Sequence, residues 1–264
     1  MERLELSDDA VVPLDAIAEG VVGLRLLIVN VFAIEGPQGW VLIDCGLAGS
    51  AGRIERWAST HFGDEPPLAI LLTHAHFDHV GALETLLERW EVPVFAHADE
   101  LPYLTGALSY PEPDPSVGGG VMARASSLYP RGPVDIGGRA RPLSPDGGIP
   151  ELPGWEWVHT PGHTIGHVSF FRESDETLVV GDAFCTTRQE SFLAVATQRP
   201  ELHGPPAYFT TDWDAARESV RRLAALEPQV VAPSHGRPMQ GPELMHALGE
   251  LAARFDQVAR PAGR

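Results

Sequence analysis

The chain has 264 residues, of which 44% are hydrophobic, so it is long enough to bury a sizeable core. Its 36 acidic residues outnumber its 19 Lys and Arg residues, and the net charge of -17 repels phosphate backbones and argues against nucleic acid as a partner. The two cysteines, Cys45 and Cys185, are too few and too far apart for a disulfide framework or a zinc knuckle.

No targeting or membrane segment is evident in the sequence. The stretch MERLELSDDAVV lacks the basic and apolar regions of a secretory signal, and no apolar run reaches 18 residues. We therefore expect a cytoplasmic protein without a membrane partner. A small-molecule substrate is the expected partner, and a homodimer is left open because two-fold dimers are the commonest oligomers.

The first part of the chain alternates between apolar, β-branched runs and amphipathic runs. The apolar runs are typical of strands, and the amphipathic runs have the spacing of helices. The predicted strands are Leu24–Ile34, Trp40–Gly46, Leu68–Thr73 and Val92–Ala96, and the predicted helices are Arg53–Phe62 and Gly81–Trp90.

The pattern breaks between residues 101 and 153, where the chain is dense in Pro and Gly. Loops of that length inside a compact domain are usually functional or mobile. We predict an insertion over the active site, with one helix inside GGVMARASSLYP. A plain surface loop is the alternative.

Strands and helices resume after the insertion and repeat the rhythm of the first part. This repetition predicts an α/β (α+β) fold in which residues 1–264 form one domain, a four-layer αββα sandwich. The predicted strands are Trp155–Thr160, His167–Arg172, Thr177–Asp182 and Gln229–Pro233, and the predicted helices are Asp214–Leu226 and Pro242–Val258.

The stretch LLTHAHFDHVGA places four metal-capable side chains directly after a buried strand. They are His74, His76, Asp78 and His79. Imidazole nitrogens and carboxylate oxygens bind zinc and similar metals, and a loop at a strand end can hold them rigidly. One such cluster cannot complete two coordination shells, so we expect partners elsewhere in the chain.

Three other strand ends each deliver one metal-capable residue into a turn containing Gly or Pro. His163 lies in HTPGHTIGH, Asp182 in VVGDAF and His235 in APSHGRP. The recurrence of one pattern at four strand ends predicts that these residues converge on a metal centre.

In this order, the motifs THAHFDH, PGHTIGH, GDAF and PSHG resemble those of the metallo-β-lactamase superfamily, over nearly the whole chain. The resemblance implies the fold of that family, with a metal pair in the cleft between two halves. It also implies that Asp44, in LIDCG, supports the ligands from behind. The implied ligands are His74, His76 and His163 for one metal, Asp78, His79 and His235 for the other, and Asp182 as the bridge.

The chemistry expected of such a centre is hydrolysis of a small ester, thioester or lactone by a hydroxide that bridges the metals. Asp78 and Asp182 are the expected catalytic carboxylates. The cofactors are expected to be two divalent metal ions, with zinc as the first choice and iron or manganese as alternatives.

Departures from known branches of the family narrow the substrate. The stretch GDAFCTTRQES lacks the features that glyoxalase II enzymes carry after the bridging aspartate. Acyl-homoserine lactonases have a tyrosine where this chain has Cys185, and Tyr103, Tyr110 or Tyr208 are the candidates to replace it. Tyr103 is also a candidate pocket wall, and the other candidates for the wall are Phe184, Arg188 and Phe192.

Two other functions stay open at this point. Persulfide dioxygenases of the same superfamily carry motifs that these resemble, but they use a single iron. A mononuclear iron oxidoreductase is therefore the alternative to the hydrolase. A metal-free binding protein is the third hypothesis, and it conflicts with the presence of every ligand position.

Overall fold

The computed structural model describes residues 4–5, 13–117 and 119–263. Most of the N-terminal stretch, for which we predict no secretory signal, lies outside these ranges. Within them, none of the helices is both long enough and apolar enough to cross a membrane. The strands are β1 (Leu4–Glu5), β2 (Val21–Leu26), β3 (Val29–Gly36), β4 (Gly39–Ile43), β5 (Ala69–Leu71), β6 (Val94–Ala96), β7 (Ala140–Pro142), β8 (Trp155–His159), β9 (Val168–Arg172), β10 (Thr177–Gly181), β11 (Glu201–Leu202), β12 (Val230–Pro233) and β13 (Met239–Gln240).

Two mixed sheets form the centre of the fold. One has six strands in the order β2-β3-β4-β5-β6-β7, the other has five in the order β13-β12-β10-β9-β8, and β1 pairs separately with β11. The strands from β4 to β7 are parallel, and so are β10 and β12. Because the carboxyl ends of parallel strands lie at the same edge of a sheet, the loops that follow these strands can meet there.

The outer faces of the sheets are covered by helices, which makes four layers. The α-helices of the described residues are α1 (Ala51–Phe62), α2 (Phe77–Val80), α3 (Leu83–Leu87), α4 (Leu101–Leu104), α5 (Val121–Ala125), α6 (Phe192–Thr197), α7 (Trp213–Ala224) and α8 (Pro242–Val258). Buried side chains of both sheets, such as Phe32 and Phe170, form one apolar cluster between them. A second cluster joins the first sheet to α1 and α3, and a third joins the second sheet to α7 and α8. The predicted αββα sandwich is confirmed.

The first hairpin differs from the single strand predicted at Leu24–Ile34. The chain turns at Leu27, which has φ +61°, and the amide of Ile28 donates a hydrogen bond to the carbonyl of Leu26 at 2.8 Å. Leu26 and Val29 on either side of the turn are both buried. The turn lies within the apolar stretch of residues 26–29, which contains no Gly or Pro to mark it in the sequence.

The segment from 101 to 153 has more regular structure than its composition predicts. It contains α4, α5 and β7, and β7 pairs with β6 to extend the first sheet. The backbone amide of Asp114 donates to the carbonyl of Tyr208 at 2.8 Å, which ties the segment to the second half of the chain. Its function as an insertion over the active site stays a prediction.

Candidate metal centre

Four strand ends bring the seven predicted ligands into one buried cluster. The loop after β5 carries four of them, and the ends of β8, β10 and β12 lead to one each. All seven side chains are buried. Three overlapping groups have candidate ligand atoms within 4.8 Å of one another: His74, His76 and His163; His74, His79 and Asp182; and Asp78, His79 and His235.

The ring nitrogens of His74, His76 and His163 face a common point. Nδ1 of His76 is 2.9 Å from Nε2 of His74 and 2.9 Å from Nε2 of His163. The remaining nitrogens of the two outer rings face hydroxyl groups, Nδ1 of His74 that of Thr73 at 3.1 Å and Nδ1 of His163 that of Thr210 at 3.2 Å. Such outer contacts orient a ligating imidazole and set its tautomer.

A second group forms around His79 and His235. Nε2 of His235 lies 3.5 Å from Oδ2 of Asp78 and 3.2 Å from Oδ2 of Asp182. Nδ1 of His235 donates to the carbonyl of Ile28 at 2.7 Å, because a carbonyl oxygen can only accept. This contact leaves Nε2 as the lone-pair nitrogen that points into the centre.

Asp182 lies between the two groups. Its Oδ2 is 3.3 Å from Nε2 of His163, and its Oδ1 is 3.6 Å from Nε2 of His79. Both Oδ1 of Asp182 and Nε2 of His79 are buried without a hydrogen-bond partner among the described residues. Buried polar atoms are almost always paired, and imidazole nitrogens with carboxylate oxygens are the ligands that zinc and related divalent ions prefer. The donor set therefore fits a pair of divalent metal ions.

The charges in the cluster also suit cations. Burial opposes the anionic form of Asp182, but His235 and His79 hold the pKa of its carboxyl well below the usual value. Burial alone would lower the pKa of His79, yet Asp182 and the carboxylates around it raise that pKa well above the usual value. Divalent ions bind neutral imidazoles and ionised carboxylates, so they would replace the protons that these charges attract.

Asp44 lies directly behind two of the predicted ligands, and its supporting role stays a prediction. Its Oδ2 accepts hydrogen bonds from Nδ1 of His79 and from the hydroxyl of Thr73, each at 2.8 Å, and its Oδ1 accepts from the amide of Thr73 at 2.8 Å. Since the Thr73 hydroxyl donates to Asp44, it accepts from Nδ1 of His74. One carboxylate therefore sets the tautomers of His79 and, through Thr73, of His74.

Glu100 is a second buried carboxylate behind the predicted ligands, and no motif in the sequence points to it. The side chain has no exposed surface, and it accepts hydrogen bonds from the amides of Ala75 and Gly166 and from the hydroxyls of Tyr110 and Thr164. Burial raises the pKa of Glu100, whereas the hydrogen bonds oppose that rise. An acidic residue four positions after a buried strand is the only local signal, and it does not separate Glu100 from its exposed neighbour Asp99.

His167 orients Asp182 through the backbone. The amide of Asp182 donates to Nε2 of His167 at 2.8 Å, and Nδ1 of His167 lies 2.8 Å from the hydroxyl of Thr160. Burial, with a smaller effect from neighbouring His163, lowers the pKa of His167 to about 3. The ring is therefore neutral and accepts the Asp182 amide.

A cavity of about 290 Å³ lies beside His76. Its walls come from two segments, residues 110–117 and residues 207–213, and they include the rings of Tyr110 and Tyr208. These two segments are far apart in sequence, which explains why no single motif pointed to them.

The four residues predicted as pocket walls do not line this cavity. Tyr103 stacks on Tyr110 with ring centroids 4.0 Å apart, and Phe184 is fully buried in the core of the second half. Phe192 is 62% exposed on α6, and Arg188 is partly buried just before that helix. Proximity to a motif in sequence does not determine which way a side chain points, and a role for these four residues in substrate binding stays a prediction.

Comparisons with known proteins agree with the geometry. A sequence model of the metallo-beta-lactamase superfamily matches residues 24–235. The chain is 46% identical over 245 residues to the probable metallo-hydrolase YflN of Bacillus subtilis (strain 168), covering 91% of this chain and 93% of that protein. It is 30% identical over 215 residues to the probable metallo-hydrolase YybB of the same organism, covering 81% of this chain and 83% of that protein. The crystal structure of TTHA1623 in a di-iron-bound form is 31% identical, with a TM-score of 0.58, and covers 86% of this chain and 96% of that one.

Proposed function

The chain belongs to the metallo-β-lactamase superfamily, and from this we propose that it is a hydrolase that uses two divalent metal ions to cleave a small ester, thioester or lactone. The observation that carries the proposal is the position of Asp182. Its carboxylate faces histidines of both groups: Oδ2 lies 3.3 Å from Nε2 of His163 and 3.2 Å from Nε2 of His235, and Oδ1 lies 3.6 Å from Nε2 of His79. A carboxylate in this position suits a bridge between two cations.

The ligand assignment follows the two groups on either side of that carboxylate. Asp182 contributes to both metals, and Asp44 supports the ligands through hydrogen bonds. When bound, the metal ions lower the pKa of water and polarise a carbonyl oxygen, which is the chemistry that hydrolysis needs. The proposed ligands of the first ion are His74, His76 and His163, and those of the second are Asp78, His79 and His235.

Asp78 is the proposed proton acceptor. It is 7% exposed, more than any other of the seven residues, and its Oδ2 is 3.5 Å from Nε2 of His235. A carboxylate at the edge of the cluster can accept a hydrogen bond or a proton from water. Asp78 can therefore orient a water molecule and accept the proton that the water loses.

The metal is proposed to be zinc, with iron and manganese as alternatives. Imidazole suits all of these metals, and a carboxylate bridge does not select among them. The relative TTHA1623 has been crystallised in a di-iron-bound form, which supports iron as the first alternative. The metal supplied to the cells that produce the protein is therefore a variable in the experiment that tests this proposal.

A small acyl compound fits the surroundings of the centre. The cavity beside His76 holds about 290 Å³, which is the lower end of the range for small-molecule sites, and its walls mix aromatic side chains such as Phe209 and Trp213 with polar ones such as Thr210. The net charge of -17 disfavours a polyanion such as nucleic acid. The hydroxyacylglutathione hydrolase of Ectopseudomonas mendocina (strain ymp) is 27% identical over 51% of this chain, so thioesters belong in the substrate panel.

The test combines metal analysis with a substrate panel. Protein purified without added metal should contain two metal ions per chain by elemental analysis and should hydrolyse at least one member of a panel of short esters, thioesters and lactones. Asp182→Asn should lose metal and activity together. Asp175→Asn is the matched control, because Asp175 is exposed and pairs with Arg172 at 2.7 Å. One iron per chain, with oxygen uptake on a persulfide, would instead favour the mononuclear oxidoreductase.

A further inference from the structure

Tyr208 is buried beside the proposed metal centre, and its side-chain hydroxyl makes no hydrogen bond to the described residues. Resting on the proposed hydrolase function, we infer that the Tyr208 hydroxyl donates a hydrogen bond to the substrate oxygen on which negative charge develops during hydrolysis. The phenol keeps its proton throughout, so it acts by hydrogen bonding and no bond of the tyrosine is broken.

The position of Tyr208 is the first support for this inference. The residue is 7% exposed and lines the same cavity of about 290 Å³ as His76, one of the proposed ligands. A substrate whose reacting carbonyl approaches the centre through this cavity therefore meets the phenol.

The other three tyrosines are already engaged or lie elsewhere. The hydroxyl of Tyr110 donates to Glu100 and accepts from the amide of Ala75. The hydroxyl of Tyr129 faces the carbonyl of Met122 at 3.4 Å, and Tyr103 is partly exposed and does not line the cavity. The Tyr208 hydroxyl makes no side-chain hydrogen bond within the described residues and belongs to a residue that lines the cavity, so it is the phenol placed to bond a molecule bound there.

The loop that carries Tyr208 is held in place on several sides. The carbonyl of Tyr208 accepts the amide of Asp114 at 2.8 Å, and its ring lies 5.1 Å from that of Phe209. Two residues later, the hydroxyl of Thr210 donates to the carbonyl of Pro206 at 2.8 Å and faces Nδ1 of His163. The phenol and a proposed ligand are therefore positioned by one short, rigid segment, and rigid placement is what makes such a donor effective.

The local charges keep the phenol protonated. Burial and the nearby carboxylates of Asp78, Glu190 and Asp182 raise the pKa of Tyr208 well above its usual value. A neutral hydroxyl among carboxylates cannot serve as an anionic nucleophile or as a ready base. It remains a donor at neutral pH.

The experiment compares Tyr208→Phe with Tyr129→Phe, each analysed for metal before use. Phenylalanine keeps the ring and removes only the hydroxyl, and Tyr129 is a second phenol of the same region that does not line the cavity. On the best substrate of the panel, Tyr208→Phe should lower kcat about 100-fold with little change in KM, since loss of one such donor typically costs about 10²–10³ in kcat. Tyr129→Phe should match the wild type.

Ligand binding supplies a readout that does not depend on turnover. The monomethyl ester of butylphosphonic acid is tetrahedral and anionic, whereas butanoate is planar. Titration calorimetry should show the phosphonate binding to Tyr208→Phe about 10–100-fold more weakly than to the wild type, the loss expected for a hydrogen bond to a charged group. The affinity for butanoate should fall by a smaller factor in Tyr208→Phe.

In wild-type protein labelled with ¹³C at tyrosine Cζ, the Tyr208 resonance reports ligand binding with the phenol itself unaltered. The phosphonate should shift the Tyr208 resonance, assigned from Tyr208→Phe or by elimination with phenylalanine at the other three tyrosines. Unchanged phosphonate affinity, an unshifted resonance, or loss of metal from Tyr208→Phe would each overturn the inference. If the wild type binds metal but hydrolyses no member of the panel, the proposed function fails, and phosphonate binding still decides the role of Tyr208.

Discussion

Oε1 of Glu100 accepts a hydrogen bond from the hydroxyl of Thr164 at 2.6 Å, across 64 residues of sequence. Its other oxygen, Oε2, accepts from the amide of Ala75 at 3.1 Å. Ala75 separates His74 from His76, and Thr164 follows His163. One buried carboxylate therefore sets the distance between the two loops that supply the first group of proposed ligands.

Glu100→Gln should weaken this connection although the shape of the side chain is unchanged. In either orientation of the amide, its NH₂ group faces a backbone N–H, that of Gly166 or that of Ala75, and neither can accept. We expect the free energy of unfolding to fall by about 1–3 kcal/mol and metal affinity at the first group to fall about 10–100-fold. Chemical denaturation and competition with a chromogenic chelator measure the two effects.

Asp99→Asn is the matched control for that variant. Asp99 is exposed in the same short 3₁₀ turn, so its loss should leave both stability and metal affinity near the wild-type values. Equal metal affinity in Glu100→Gln and Asp99→Asn would contradict the role of Glu100 in holding the loops.

Asp44→Asn should affect the second metal more than the first. The carboxamide keeps one oxygen for the amide of Thr73, so its NH₂ group takes the place of Oδ2 and faces Nδ1 of His79. Nδ1 must then accept, and the proton moves to Nε2, the atom that points to Asp182. We expect about 10–100-fold weaker binding of one metal ion, seen as two separated steps in a metal titration. A titration indistinguishable from that of the wild type would refute this account.

Gly81→Ala should destabilise the turn that follows the first ligand loop. A Cβ at Gly81 would lie 2.3 Å from the backbone nitrogen of Ala48 and 2.6 Å from the carbonyl carbon of Leu47, so backbone must move. The free energy of unfolding should fall by about 1–3 kcal/mol, the usual cost of overpacking. Gly249→Ala is the control in α8, where nothing lies within 4 Å, and there stability should rise by about 0.5–1 kcal/mol. Equal thermal stability of the two variants would contradict the steric argument.

His167 should make stability depend on pH. Its pKa is lowered to about 3 in the folded chain, mainly by burial, and the unfolded chain takes up this proton near pH 6.5. Between these values the unfolded state binds the extra proton, so the free energy of unfolding falls as the pH falls, by about 1.4 kcal/mol per pH unit from this group. The contribution of the neutral His167 ring to stability is fully present above pH 6.5.

Denaturant titrations in the presence of a chelator, at several pH values between 4 and 7, measure this slope without a contribution from metal loss. His167→Gln keeps an acceptor for the Asp182 amide and removes the titrating ring, so its slope should be shallower. His61→Gln, on the exposed part of α1, is the control. A slope in His167→Gln as steep as that of the wild type would show that the proton is taken up elsewhere.

The convergence of the candidate ligands and the sandwich could be predicted from the sequence because their signals are local. A short apolar run followed at once by His74, His76, Asp78 and His79 marks a strand end with metal-capable residues, whatever the rest of the chain does. The alternation of apolar runs and amphipathic runs likewise depends on nearest neighbours along the chain. Even so, the turn at Leu27 was not predicted, because the residues on both sides of it are apolar and buried.

Tertiary structure alone decided which residues support and surround the centre. Glu100 is identified by partners 25, 64 and 66 positions away, and no local pattern encodes such contacts. Phe184 and Phe192 look alike in sequence, yet packing buried the first and left the second exposed. The sequence by itself determined the chemistry at the strand ends, because residue type and strand periodicity are local properties. The partners of those residues and the walls of the cavity follow from long-range packing, which only the folded chain specifies.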